Sequence, residues 1–170
     1  MVSIYKTLPN IAEDCLVNYI SGKFTGTYPK VIPDSTAAIS GAYSFHRGFS
    51  VEPLTFPAII VTVGKLKEQE PGMHVYKGQV NVSVFTQADD TANPVGVHDA
   101  AAAQVYSILS TSDSLFSGLN SGASNLRVFG FINTHFDQSI GHNGEGSRLL
   151  MTLFDYEIEA QALPTFAPVP

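Results

Sequence analysis

The sequence predicts one α+β domain, built from an antiparallel sheet of four to five strands, two amphipathic helices packed on it and a long extended arm. Three observations predict this class: two segments with apolar residues at helical spacing, several runs that alternate apolar and polar residues, and turn-rich stretches between them. The 170 residues suit one domain and can bury a sizeable core.

Two segments have a helical pattern. The first runs from about Pro9, a residue well placed at a helix start, to near Gly22. The second lies within "VHDAAAAQVYSILSTS", where the alanines indicate close packing on a sheet. Cys15 lies on the apolar stripe of the first helix, which favours a small buried hydrophobe over a reactive thiol.

Residues 23–55 separate the first helix from the first strand and show no sustained periodicity. A connection this long is uncommon in a compact domain and is usually a functional loop or an arm. It carries residues of the type enriched at interfaces, and five of these are candidate interface residues: Tyr43, Phe45, His46, Arg47 and Phe49. Either the segment orders against a partner or it lies on its own domain.

Four runs are predicted as strands. "TFPAIIVTVGKLKE" and "VYKGQVNVSVFTQADD" form one hairpin, while "NLRVFGFINTHFD" and "SRLLMTLFDYEIEAQA" form another around the loop "QSIGHNGEG". The Pro-rich tail, residues 163–170, is predicted to be extended. The residues predicted to share one core are Ile11, Val61, Val82, Val105 and Ile158.

The closing strand is apolar on both faces at its start. Phe154, Tyr156 and Ile158 lie on one face, and the three candidate interface residues on the other are Leu149, Met151 and Leu153. Three such side chains in water would form an unusual patch. Either a helix of the same chain or a neighbouring subunit is expected to cover them.

Composition excludes several classes of protein. A formal net charge of −6 without a basic cluster argues against a protein whose main function is nucleic-acid binding. One cysteine excludes an intramolecular disulfide and a CxxC site. The sequence shows neither a signal-peptide core nor a run of roughly 18 apolar residues, so we expect a soluble protein that is made in a cytoplasm.

Two groups of residues could carry chemistry. Asp89 and Asp90 are adjacent, so their side chains diverge in an extended chain, and a solvated loop before a helix explains them. His135 and Asp137 lie on one strand face with His142 a loop away, which is the pattern of a metal triad but also of isolated polar residues. We predict no catalytic, cofactor or metal site.

The order of these elements resembles the tail terminator and tail-to-head joining (neck) proteins of long-tailed bacteriophages. The similarity spans roughly Ile4 to Ala162, and three segments carry it best: "TFP" before the first strand, "VNVSVFTQADD" before the second helix and "GSRLLMTLFDYEIEA" as the closing strand. The segment 23–55 is longer than its usual counterpart, so a head-completion or other neck protein stays an alternative.

The resemblance implies a structural virion protein and no enzyme. Its subunits would form a homo-oligomeric ring of six that caps the tail tube protein, ends tube growth and binds a head connector or stopper protein after assembly in the host cytoplasm. DNA would pass through the ring without specific binding, with Asp89 and Asp90 as candidates for a loop facing the lumen. An alternative from another class is a metal-dependent hydrolase that uses His135, Asp137 and His142.

Overall fold

Three helices pack on one face of a mixed six-stranded sheet in the computed structural model of the chain. The structure describes residues 7–31, 38–48, 54–121, 125–142, 144 and 146–162. The predicted α+β class is confirmed. The predicted sheet was antiparallel with at most five strands, whereas the observed sheet includes one parallel pair.

The helices are α1 (Leu8–Lys23), α2 (Pro94–Ile108) and α3 (Asp113–Ser121). Proline lies in the first turn of α1 and of α2, where its missing N–H costs no intrahelical bond. The side chain of Asn93 caps α2 by accepting a hydrogen bond from the Gly96 N–H at 3.2 Å. Among the helices of the described part of the chain, none is both long enough and apolar enough to cross a bilayer.

Eight strands are present among the described residues: β1 (Tyr28–Val31), β2 (Ala38–Gly41), β3 (Ser44–Arg47), β4 (Ala58–Val63), β5 (Lys67–Glu68), β6 (Val75–Gln87), β7 (Leu126–His142) and β8 (Arg148–Ala162). The main sheet has the order β3-β4-β6-β8-β7, and β5 pairs with β6 at the side of this path. Only β3 and β4 run parallel, while β1 and β2 form a separate antiparallel hairpin.

The core lies between the helices and the sheet face that carries Val82 of β6 and Ile158 of β8. Both are fully buried, as are Val61 and Val105, so four of the five predicted core residues are confirmed. Ile11 is partly buried and packs against the same cluster. Period-two alternation along β6 and β8 places every second side chain on this face.

The described part of residues 23–55 favours the second interpretation of this segment, which lies on its own domain, over an extended arm. It contains the β1–β2 hairpin and the edge strand β3. Tyr43 is only 7% exposed, and its ring lies 4.9 Å from that of Phe24 and 5.6 Å from that of Tyr28, measured between centroids. These three rings all belong to the segment, and the pairing of β3 with β4 joins it to its own domain. Phe49 and the predicted tail 163–170 lie outside the described residues.

Two further element predictions need correction. The sequence predicts two helices, whereas the described part of the chain contains three. The additional helix is α3. It contributes only Leu115 and Leu119 to the core, and its Gly118 lies so close to the Tyr19 ring that a larger side chain would clash. The predicted loop "QSIGHNGEG" begins too early, since β7 continues through His142, where it pairs with Arg148 of β8.

Candidate interaction surfaces

The sheet face opposite the helices, here called the outer face, carries the predicted patch of the closing strand. Leu149 is 9% exposed, while Met151 and Leu153 are half-buried. Met151 lies opposite Phe85 of β6 in the strand register, and Leu153 lies opposite Ser83. The helices of the described chain cover the other face of β8. The described contacts on the outer side of this patch come from its neighbours in the sheet and from Phe56, whose ring centroid lies 6.1 Å from that of Phe85.

On β6 and β8, the remainder of the outer face is polar or charged. Asn81 donates a hydrogen bond to Asp155, and the Lys77 ammonium lies 2.9 Å from Glu157 and 3.5 Å from Glu159. The hydrogen bond that Lys77 donates to Glu157 raises the pKa of Lys77. On these two strands the outer face is thus divided into an apolar half and a charged half, while the exposed Ile132 of β7 lies opposite Glu157.

Strand β7 forms one edge of the sheet, and no described strand pairs with its outer side. Four large hydrophobic side chains along it are strongly exposed: Phe129 (47%), Ile132 (61%), Phe136 (61%) and Ile140 (68%). Long edge strands with free backbone groups and apolar side chains promote pairing with other chains. Among the described surfaces, this edge is therefore a strong candidate for pairing with another chain.

A groove separates α2 from β7, and we call it the α2–β7 groove. It consists of two adjoining cavities of about 510 and 260 Å³ that share Asp99 and Gln138. In the larger cavity, Phe154 forms part of the floor, and Tyr106 and Phe136 are on opposite walls. The Tyr106 and Phe154 rings lie 5.8 Å apart between centroids. The groove is aromatic, and Asp99 is its one charged lining residue.

His98 supports the floor of this groove and was not identified from the sequence. Its ring is 4% exposed, with Nδ1 2.8 Å from the Thr86 hydroxyl and Nε2 2.8 Å from the Thr152 hydroxyl. Burial lowers its pKa, which favours the neutral ring that both threonines can satisfy. Its spacing in the sequence could have identified it. His98 lies three residues before Ala101 and four before Ala102 on α2, which is the helical period of core positions.

The structure separates the residues proposed for a metal site. His135 and Asp137 lie on one face of β7, as predicted, but both are exposed, and His142 is exposed at the end of the strand. No group of three histidine, cysteine or carboxylate side chains suited to a metal ion occurs in the described residues. The described geometry therefore offers no support for the hydrolase alternative.

The adjacent acids lie where β6 leads into α2. Residues 88–90 form a single 3₁₀ turn, and the Asp89 carboxylate is 3.9 Å from the Arg148 guanidinium, with both side chains largely exposed. The Asp90 side chain lies outside the described residues. Asp89 is thus in a surface loop, and whether it faces a lumen stays a prediction.

The residues predicted as the interface of the arm contact their own domain. Arg47 lies 3.1 Å from Asp14 of α1, and His46 lies 2.9 Å from the Ser44 hydroxyl. Phe45 is half-buried, with its ring centroid 5.9 Å from that of Phe24. The outer face and the β7 edge therefore replace this segment as the leading candidates for contact with other chains.

No protein-family model matches the chain, and no curated protein matches it either.

Proposed function

We propose that the chain is a structural subunit that closes into a ring at the end of a phage tail tube, ends tube growth and joins the tail to the head connector. The observation that carries the proposal is the row of exposed hydrophobic side chains along the unpaired edge of β7. The apolar half of the outer face adds a second candidate contact surface on the neighbouring strand β8.

These surfaces suit the contact that a ring needs. A closed ring needs a heterologous contact, in which one patch binds a different patch on the next copy, whereas a rotation that fails to close gives a filament. A stable contact buries about 800 Å² on each partner. The β7 edge supplies four large exposed side chains, and the apolar half of the outer face lies one strand away, so the chain offers two distinct apolar patches.

The order of elements also supports the proposal. The chain runs from α1 through β4 and β6 to α2 and then to the long β7–β8 hairpin, which is the order on which the resemblance to tail terminator proteins rests. The same order serves a head-completion or other neck protein, and both alternatives share the ring. The net charge of −6 suits a channel through which DNA passes without binding to the wall.

The experiment is a mass measurement by light scattering during gel filtration, combined with negative-stain imaging. We expect a discrete oligomer of about six chains that images as a ring with a central hole. A monomer at every concentration, both alone and with tail tube protein, would overturn the proposal. A filament would show a heterologous contact whose rotation does not close.

A further inference from the structure

The α2–β7 groove has the chemistry of a site for a Pro-rich segment. Its larger cavity holds about 510 Å³, within the range of roughly 300–1,000 Å³ that is typical of ligand clefts. Three aromatic side chains line it, with Ala102 and Ala103 as its small-residue wall. Aromatic-lined grooves bind Pro-rich segments because an extended proline helix is already ordered and packs its rings on aromatic faces.

Such a segment exists in this chain. Residues 163–170 follow β8 directly and read "LPTFAPVP", with three prolines, one aromatic residue and no charged side chain. An uncharged segment suits a groove with a single charged lining residue. Phe166 is its one large ring, and the lining rings of Tyr106 and Phe136 are 47% and 61% exposed, so both are accessible to a bound aromatic side chain.

Phe166 cannot reach the floor of the groove in its own chain. Phe154 lies in that floor, eight residues before Ala162 on β8 (162 − 154 = 8), which is about 26 Å at ~3.3 Å per residue. Phe166 lies four residues after Ala162 (166 − 162 = 4), which allows at most ~14 Å. A Phe166 ring beside Phe154 must therefore come from a second copy.

We propose that residues 163–170 of one copy bind in the α2–β7 groove of a neighbouring copy, with Phe166 seated between Tyr106 and Phe136. This inference rests on the proposed self-association, and it names the contact that links adjacent subunits. When each segment binds the next copy in one direction, the contact is heterologous and suits a closed ring, whereas reciprocal exchange between two copies gives a two-fold dimer.

The test uses a fluorescently labelled peptide of residues 161–170 and the full chain carrying Phe166→Ala, so that the receptor lacks its own anchor. We expect saturable binding by fluorescence anisotropy, with at least a tenfold loss when Phe166 of the peptide is replaced by alanine. Ala103→Arg in the receptor, at an exposed helix position that lines the cavity, should cause a similar loss.

Ala100→Arg is the matched control, because Ala100 is exposed on the same helix but lies outside the α2–β7 groove. It should bind the peptide as well as the parent receptor does, and circular dichroism should show that both arginine variants are folded. Binding that ignores Ala103→Arg, or no binding up to about 1 mM peptide, overturns the inference.

Mass measurement separates this inference from the proposed function. Peptide binding by the Phe166→Ala receptor, together with a parent chain that stays monomeric at every concentration, supports the groove site and overturns the ring. Rings that persist in the Phe166→Ala chain, with no peptide binding, support the ring and overturn the groove site. Rings that are lost in Ala103→Arg without any peptide binding show that another part of the second copy fills the groove, which also overturns the inference.

Discussion

Glu13 is a buried acid whose position has an energetic cost. It is 1% exposed; one carboxylate oxygen accepts a hydrogen bond from the Val63 N–H at 2.9 Å, and the other has no partner. Burial raises its pKa above the ordinary value of 4.5, with the nearby Arg47 opposing and Asp14 adding to the rise. The folded chain therefore binds this proton more tightly than the unfolded chain does, and this contribution to stability falls as the pH rises through the folded-state pKa.

The Glu13→Gln variant tests the direction of this pH dependence of stability. The amide oxygen can still accept from Val63, but the side chain carries no charge, so the variant avoids the cost of ionisation. We expect its Tm relative to the parent to be higher at about pH 8 than at about pH 4, because any constant cost of the amide cancels in that comparison. Glu70→Gln, at an exposed position, is the control and should show no such difference. A pH-independent offset for Glu13→Gln would contradict the prediction.

His98 is expected to hold α2 on the sheet. His98→Ala removes a buried ring and leaves the Thr86 and Thr152 hydroxyls without their partner, so the free energy of unfolding should fall by about 2–5 kcal/mol. Urea denaturation measures this loss. In the parent chain, the NMR titration midpoint of His98 should lie below the ordinary value of 6.5. A midpoint above 6.5 would show that the ring is charged and that the burial argument fails.

At the scale of elements, β3 depends on its aromatic contacts. It has four residues and one neighbour among the described strands. The rings of Tyr43 and Phe45 pack on Phe24, the residue that caps the C-terminus of α1, and Tyr43 also packs on Tyr28. Burial raises the pKa of Tyr43 to about 12. These contacts explain how a segment without periodicity becomes part of the domain.

Tyr43→Ala should lower the free energy of unfolding by about 3–5 kcal/mol, the range for buried aromatic residues. Phe136→Ala is the comparison, because it removes an aromatic ring that is 61% exposed and should cost far less. Urea denaturation of dilute monomer measures both changes. Equal losses would show that burial in the isolated chain does not distinguish the two rings.

The sequence predicted the elements whose pattern is long and local. Most of β6 and the second half of β8 alternate apolar and polar residues, and α2 places Val97, Ala101, Val105 and Ile108 at helical spacing. The elements that the sequence did not predict correctly depend on contacts between residues far apart in the chain. Strand β7 extends past Asp137 because β8 supplies hydrogen-bond partners as far as Arg148, and β3 forms because β4 and α1 receive it. The α2–β7 groove joins residues about 40 positions apart, so local periodicity could not indicate it.

At the scale of the whole molecule, the described helices pack on one sheet face, and no described helix or strand covers the other face or the outer edge of β7. Every described helix contacts the core cluster, including the short α3. The apolar half of the outer face and the edge of β7 then lie on adjacent strands, β8 and β7. A mutation on either surface should therefore affect assembly without unfolding the chain, which makes the proposed ring testable by single substitutions.

Leu153→Glu is the decisive substitution on the outer face. Leu153 is half-buried, with Ser83 opposite it on β6 and Asp137 opposite it on β7, so the new carboxylate lies beside an existing one. Like charges on facing strands are destabilising by about 0.2–1 kcal/mol, a cost that a folded domain tolerates. At a packed contact between subunits, the same carboxylate would be buried without a partner, which costs far more.

We therefore expect Leu153→Glu to keep the circular dichroism spectrum and cooperative melting of the parent while light scattering reports a monomer. Gln79→Glu is the matched control, since it adds the same charge to the charged half of the outer face, opposite Glu157, and should still assemble. A normal ring from Leu153→Glu would exclude this half of the outer face from the subunit contact. An unfolded variant would instead show that Leu153 stabilises the domain from within, and the contact would then have to lie on the edge of β7, where Phe136 and Ile140 are the next residues to replace.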